Sequence, residues 1–376
     1  MKRNIVAVGM LLLFSAVLWS CSESSDSNPE QDLSLEQSLD AKAQNLGDAV
    51  NTISNSKGFE IITLNESTKN GESEGDDDRF SASITLDDIK GLYDYSPTIN
   101  NEATETKFGF QRVFEKTKDT TLFILRLPKE KADRPWKLYL DEEGDSELVN
   151  DFVITTTDYL YSYSSGFQFE YLLDSEIEVE GEDAGELFVE WSISENLNFE
   201  YEAEFSFPDG YSVGVEFEFG DTIAYEYDLK SGEDVLYKEE IEITRSGETH
   251  KKELEYSLTI GNIELVKNSS TDTIQVYRDG VLEEGAIVEV IDESGESVDT
   301  DVAFCRKGRD LKITFTDGTE VILSELLGED TLDKLDEIYS AMYDMYFVKK
   351  LVDKVAREIH YTNMYDDDSG DDVAEE

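Results

Sequence analysis

Cys21, Cys305, His250 and His360 are the only cysteines and histidines in this chain, so thiol and imidazole chemistry have four possible seats. A nucleophile needs a base at its side, and a transition-metal site needs ligands at short, regular spacing. None of the four has either. His250 and His360 lie among charged residues with no ligand spacing between them, and Cys305 follows the apolar Val302, Ala303 and Phe304, the setting of a small core thiol. No G-x-S-x-G, H-E-x-x-H, P-loop or dinucleotide-binding glycine pattern occurs. Carboxylate chemistry is what remains. The chain carries 87 Asp and Glu, and two facing carboxyl groups suffice for glycoside hydrolysis. Most of these acids occupy alternate strand positions, where solvent exposure explains them and no pair is nominated. Residues 76–78 and 141–147 are oxygen-rich but lack the alternating ligands, central glycine and distal glutamate of a calcium loop. The reading is of no catalytic residue, no metal ligand and no cofactor, hence not an enzyme, with a carboxylate-pair glycoside hydrolase as an alternative.

Those 87 acids stand against 32 Lys and Arg, a formal charge of -55. Such a surface repels nucleic acid and anionic headgroups and is strongly solvated. Hydrophobic residues still make up 39% and aromatics 11%, enough for a packed core, so disorder is not the general reading.

The first residues read as a targeting segment. Lys2 and Arg3 precede an apolar run over 5–19. As a helix it spans about 22 Å, short of a hydrocarbon core of roughly 30 Å, which fits a signal peptide at 1–20. Leu18-Trp19-Ser20-Cys21 then resembles the lipobox of bacterial lipoprotein precursors, with an aliphatic residue three before the cysteine and a small residue before it. Trp19 departs from that pattern, which usually has a smaller residue there. The resemblance implies lipid attachment at Cys21, cleavage before it and acylation, palmitate included, of the new amine. Two or three acyl chains anchor stably where one does not. Cys305 is then left without a disulfide partner. Residues 21–32 form a polar, flexible tether. Its second residue is Ser22 and not the Asp of inner-membrane retention, and its Ser/Asp/Glu content resembles the export tether of surface lipoproteins in the Bacteroidetes. Asp119-Thr120-Thr121, Asp221-Thr222-Ile223, Asp272-Thr273-Ile274 and Asp330-Thr331-Leu332 resemble the O-glycosylation triplet of the same group. The implied address is the outer membrane, on its periplasmic or cell-surface side.

Behind the tether, Phe199, Tyr201, Ala203, Phe205 and Phe207 alternate with Asn198, Glu200, Glu202, Glu204 and Ser206. Successive strand residues point to opposite faces, so one face is aromatic and the other carboxylate. Val213, Val215, Phe217 and Phe219 repeat this against Glu216 and Glu218. The pattern predicts a half-buried antiparallel sheet. Further strands are expected at 59–64, 80–86, 106–115, 120–127, 135–140, 149–163, 235–244, 252–259, 272–277, 286–292, 299–304, 310–316 and 319–323. Asp209-Gly210, Asp279-Gly280 and Asp317-Gly318 mark tight turns. Apolar residues at three-four spacing predict helices over 34–54, with Ser34 and Gln37 as a capping box, and over 331–360, capped by Asp330 or Thr331. The fold class is mainly β (α+β): a large curved antiparallel meander sheet covered by an N-terminal and a long C-terminal helix. One domain is expected over 33–362, with an acidic disordered tail over 363–376.

Anchor, tether and sheet without catalytic motifs point to a lipid-anchored protein, most directly a non-catalytic binding or scaffold module. Its partners are the membrane, through the lipid, and a glycan, protein or apolar ligand, but not nucleic acid. The alternative in a second class is a carrier of an apolar ligand or lipoprotein, with a cavity between sheet and helices.

Overall fold

Tight turns set the architecture. Asp209-Gly210, Asp279-Gly280 and Asp317-Gly318 all lie at turns, with Gly210, Gly280 and Gly318 at φ 82°, 74° and 88°. A computed structural model describes residues 33–63, 82–96, 113–133, 147–164, 168–194, 196–245, 252–269, 271, 273–292, 309–343 and 346–368. The strands expected at 135–140 and 299–304 lie outside the described residues, as do 106–112 of a third.

The main sheet has 15 strands. They are β1 (Ala82–Thr85), β2 (Gly91–Tyr95), β3 (Phe114–Lys118), β4 (Phe123–Leu127), β5 (Phe152–Tyr163), β6 (Phe169–Val179), β7 (Glu182–Ile193), β8 (Phe199–Ser206), β9 (Tyr211–Phe219), β10 (Thr222–Ser231), β11 (Asp234–Arg245), β12 (Lys252–Ile260), β13 (Ile263–Asn268), β14 (Gln275–Arg278) and β15 (Val281–Leu282). From β4 to β15 each strand pairs antiparallel with the next, an unbroken meander. At the other end β2 lies parallel to β4 and antiparallel to β3, while β1 shares one edge of β5 with β4. Among the described residues the sheet is therefore mixed at this one place. A small sheet of β16 (Ile287–Asp292), β17 (Arg309–Thr314) and β18 (Glu320–Ile322) joins it through an Ile274–Val288 bridge.

Helix α1 (Leu35–Ser54) begins where the sequence says it must. Ser34 Oγ accepts from the Gln37 amide and the Gln37 side chain accepts from the Ser34 amide. Its apolar stripe of Leu39, Leu46, Val50 and Ile53 is buried. The expected strand at 59–64 is instead helix α2 (Lys57–Ile62). Ser56 Oγ accepts from the Phe59 amide and starts a turn that lies against β7, so capping and tertiary packing override the apolar run. Short helices α3 (Leu86–Ile89), α4 (Lys129–Ala132) and α5 (Leu323–Leu327) follow.

The C-terminal helix is seen as α6 (Glu329–Tyr343) and α7 (Tyr346–Asp368), with 344–345 outside the described residues. Gly328, at φ 82°, ends α5 and admits α6 two residues before the expected start, so neither Asp330 nor Thr331 precedes it as a cap. At the other end α7 runs past residue 360 to Asp368, into part of the stretch expected as a tail. The Thr362 hydroxyl donates to the Glu358 carbonyl there.

Helices α1, α2, α6 and α7 all lie on the aromatic face of the sheet. Beneath them the space is filled: Val189, Ala203, Phe205, Val215 and Leu229 meet Leu46, Val50, Ile338 and Met342, each at most 2% exposed. No helix among the described residues is long and apolar enough to cross a membrane.

Candidate ligand face

Antiparallel register carries side chains straight across the sheet in rows. On the inner, helix-bearing face one row reads Tyr161, Tyr171, Trp191, Tyr201, Phe217, Tyr225, Ile241 and Tyr256, from β5 to β12. The next row toward the 194–198 and 220–221 turns reads Phe169, Ile193, Phe199, Phe219, Ile223, Ile243 and Leu254. Alternation alone puts these residues on one face; burial then divides them. Tyr171 and Tyr256 are buried, but Trp191, Tyr201, Phe217 and Tyr225 are half-buried, and Phe219 and Leu254 are 44% and 39% exposed. The inner face is thus sealed at one end of the strands and left half-exposed at the other.

The rings on this strip touch one another in sequence. Centroids of Phe169 and Trp191 are 4.6 Å apart, Trp191 and Phe199 5.7 Å, Phe199 and Phe217 5.4 Å, Phe217 and Tyr225 6.3 Å, and Tyr225 and Tyr227 4.8 Å. Steep interplanar angles of 56–74° at these contacts make an edge-to-face series, the arrangement that ring quadrupoles favour. Trp191 Nε1 is buried within it and has no hydrogen-bond acceptor among the described residues.

At the helix-covered end of this series stands a carboxylate. The row beneath the aromatic one runs Tyr159, Leu173, Val189, Ala203, Val215, Tyr227, Glu239, Leu258, Leu265 and Val276. Glu239 is its single charged member. The Tyr237 hydroxyl donates to Glu239 Oε1, and Tyr256 also hydrogen-bonds it. Burial pushes the Glu239 carboxyl up, and these two bonds draw it back only in part, so it stays above the ordinary range. No Lys, Arg or His among the described residues offsets its charge. Lys267, opposite Tyr256, gives its ammonium to the Thr271 carbonyl instead. Tyr339 of α6 closes the site, its ring 4.4 Å from Tyr227 and 6.0 Å from Tyr237. Its hydroxyl is buried without a hydrogen-bond partner among the described residues. Burial holds this phenol well above its usual range, and the nearby charges of Glu239 and Asp228 add to that.

A second inner-face carboxylate is fully satisfied. Asp353 of α7 accepts from Tyr159 at 3.1 Å, Tyr171 at 2.9 Å and Lys349 at 2.8 Å. The Lys349 ammonium also lies 4.2 Å from the Tyr171 ring centroid. This closed network fastens α7 to β5 and β6 and leaves nothing for a ligand to supply.

The outer face is the carboxylate face. Glu190, Glu202, Glu216, Glu226 and Glu240 stand directly opposite one another on five successive strands. Lys238 bridges Glu226 at 2.8 Å and Glu240 at 3.2 Å. Burial, then the neighbouring carboxylates, hold Glu202 and Glu216 above the usual carboxylate range. Asp228, in the adjacent row, pairs with Lys230 at 2.5 Å. Its Oδ1 leans over Gly214, where a Cβ would meet it at 2.8 Å. Among the described residues no group of three or more His, Cys, Asp or Glu is arranged to hold a metal ion.

Of the residues singled out by sequence, Cys21, Cys305, His250 and Asp76 to Asp78 lie outside the described residues. His360 is on α7 beside Tyr361, with ring centroids 5.7 Å apart. Thr222 opens β10 and Asp330 lies in the first turn of α6. Sequence reasoning missed Glu239, since one Glu among 87 acids carries no local mark. The signal was there in phase: Tyr237, Glu239, Ile241 and Ile243 share a face, and the glutamate breaks an apolar alternation. No family model, curated protein or solved structure matches this chain.

Proposed function

We propose that this protein is a lipid-anchored, non-catalytic binding or scaffold module of the outer membrane, and that it takes its ligand on the uncovered aromatic end of the inner sheet face. The observation that carries this reading is the row of Trp191, Tyr201, Phe217 and Tyr225. It lies in register across four strands and is left half-exposed, although helices cover the same face lower down. Exposed contiguous apolar surface is costly in water and marks interaction sites. Aromatic rings give a ligand large contact area at low entropic cost.

The position of Leu33 supports the same reading. The Leu33 carbonyl accepts from Arg278 Nη1 at 3.0 Å, at the sheet end that carries the 261–262 and 279–280 turns. Along β12 the aromatic end begins six residues away, from Ile260 to Leu254, about 20 Å. A lipid at Cys21 with a tether over 21–32 then joins the body at the end remote from the ligand face.

A carrier of apolar ligands is the second reading. The rim of Ile193, Ile223, Ile243 and Leu254 favours it, and its ligand would lie on this strip, because the space beneath the helices is filled. Two measurements test the proposal. Metabolic labelling with palmitate should mark the native chain and not Cys21→Ser, and the variant should leave the membrane fraction. Arrays of envelope glycans and lipids should bind the native chain and lose at least tenfold with Trp191→Ala combined with Phe219→Ser. Equal binding by native and double-variant chains would sink the ligand face. An unlabelled native chain would sink the anchor.

A further inference from the structure

We infer that Glu239, walled by tyrosines, binds an organic cation: an alkylammonium group carried by the ligand of the aromatic face. This rests on the reading of that face as the ligand face and adds the chemistry its ligand must bring.

Position is the first argument. A carboxylate in the middle of an apolar row is expensive, and proteins keep one only when it is neutralised, paired or used. Glu239 receives two tyrosine hydroxyls but no counter-charge from the described residues. Asp353, on the same face, shows the contrast: it too accepts from two tyrosines, and Lys349 completes it. Glu239 has the tyrosines of such a site without the lysine.

The walls are the second argument. Tyr227, Tyr237 and Tyr339 come from two strands and a helix, with Tyr339 stacked at a tilt over both of the others. Aromatic faces around an anionic side chain are what attracts an ammonium group, and the gain is largest where water is excluded. The third argument is Tyr339 Oη, on a residue 9% exposed and without a hydrogen-bond partner. A phenolic oxygen accepts as well as donates. An ammonium N–H can therefore donate to Glu239 and to Tyr339 together, satisfying the orphaned oxygen and supplying the missing charge. The carbon chain behind it would continue over Tyr225 and Phe217 onto the exposed strip. A formal charge of -55 draws cations toward this surface and discourages anionic ligands.

The test uses the full chain and two probes of one shape, n-butylammonium and 1-butanol, followed by calorimetry and tyrosine fluorescence. The native chain should bind n-butylammonium at least tenfold more tightly than 1-butanol. Glu239→Gln should remove that preference and leave 1-butanol unchanged, and Tyr339→Phe should weaken the ammonium a few-fold. Circular dichroism checks that both variants fold. Glu202→Gln with Glu216→Gln removes two charges from the outer face, so retention of the preference in that variant separates the site from general attraction. Equal binding of the two probes, or a preference that survives Glu239→Gln, overturns the cation site while leaving the aromatic face standing. Failure of both probes, together with failure of the array experiment, overturns both.

Discussion

The Tyr171 hydroxyl of β6 donates a 2.9 Å hydrogen bond to Asp353 of α7, and Lys349, which pairs with the same carboxylate, lies over the Tyr171 ring. One strand residue thus holds both members of a helix ion pair. Asp353 is 4% exposed, and its removal leaves a half-buried ammonium and two buried phenols without their shared acceptor. Asp353→Ala should lower unfolding stability by about 3–5 kcal/mol, the scale of a buried pair that loses one partner. Tyr171→Phe should cost about 1–2 kcal/mol. Denaturant midpoints measure both. A loss for Asp353→Ala no larger than that for Tyr171→Phe would show that α7 is not held here.

The buried phenols predict an alkaline limit. Burial first, then the adjacent carboxylates, hold Tyr159, Tyr171, Tyr237 and Tyr339 well above the ordinary value of 10.0. In the unfolded chain they ionise near 10. Their folded values are raised, so their contribution is intact below about 10 and is lost as pH climbs from there toward the folded values. Near-ultraviolet phenolate absorbance should rise in two stages: a gradual one for exposed tyrosines, then a step that coincides with loss of the far-ultraviolet strand signal. A single smooth rise near pH 10 with the fold intact would contradict this.

Gly58 predicts a steric limit. A Cβ built there would lie 2.5 Å from the Ala184 carbonyl oxygen and 2.8–2.9 Å from the rings of Phe207 and Phe205. The absence of a side chain lets α2 rest directly on β7. Gly58→Ala gains helix propensity, yet overpacking should win and lower stability by about 1–3 kcal/mol. A rise in melting temperature would show that α2 can shift without loss.

Which parts of this were legible in the sequence follows from how local each cause is. The Ser34–Gln37 capping box, the alternation from Phe199 to Phe207 and the Asp-Gly turns are written within a few residues, and they give α1, the meander with two of its turns, and the β17–β18 turn of the small sheet. The β6–β7 turn uses Glu180 and Gly181 at φ 57° and 78°, and glutamate gives no warning of a left-handed position. Helix α2 depends on Gly58 meeting a carbonyl far along the chain, and the parallel β2–β4 pair on a return path that alternation does not encode. For the candidate site, alternation marks Trp191 and Tyr201 as inward-facing, but only the placing of α6 and α7 decides that their end of the face stays uncovered. Glu239 becomes distinctive only once its row is assembled from ten strands.

The outer ladder predicts opposite signs at its two ends. Burial and then Glu190 and Glu204 raise Glu202; burial and then Glu226 and Glu202 raise Glu216. With folded values above the unfolded 4.5, both groups favour the fold below that pH and oppose it as pH rises through the folded values. Glu202→Gln and Glu216→Gln should each therefore stabilise at pH 7, by a few tenths to about 1 kcal/mol, the range of cross-strand pairs. The gain should shrink below about pH 4.5, where glutamate is already neutral, and in added salt, which screens the exposed row. Lys238→Gln should do the reverse at pH 7, because it strips Glu226 and Glu240 of the cation they share. Denaturant midpoints for the three variants at two pH values and two salt concentrations decide it. Destabilisation by Glu216→Gln at neutral pH would mean that the ladder is held by something attractive, such as a shared cation, and not merely tolerated.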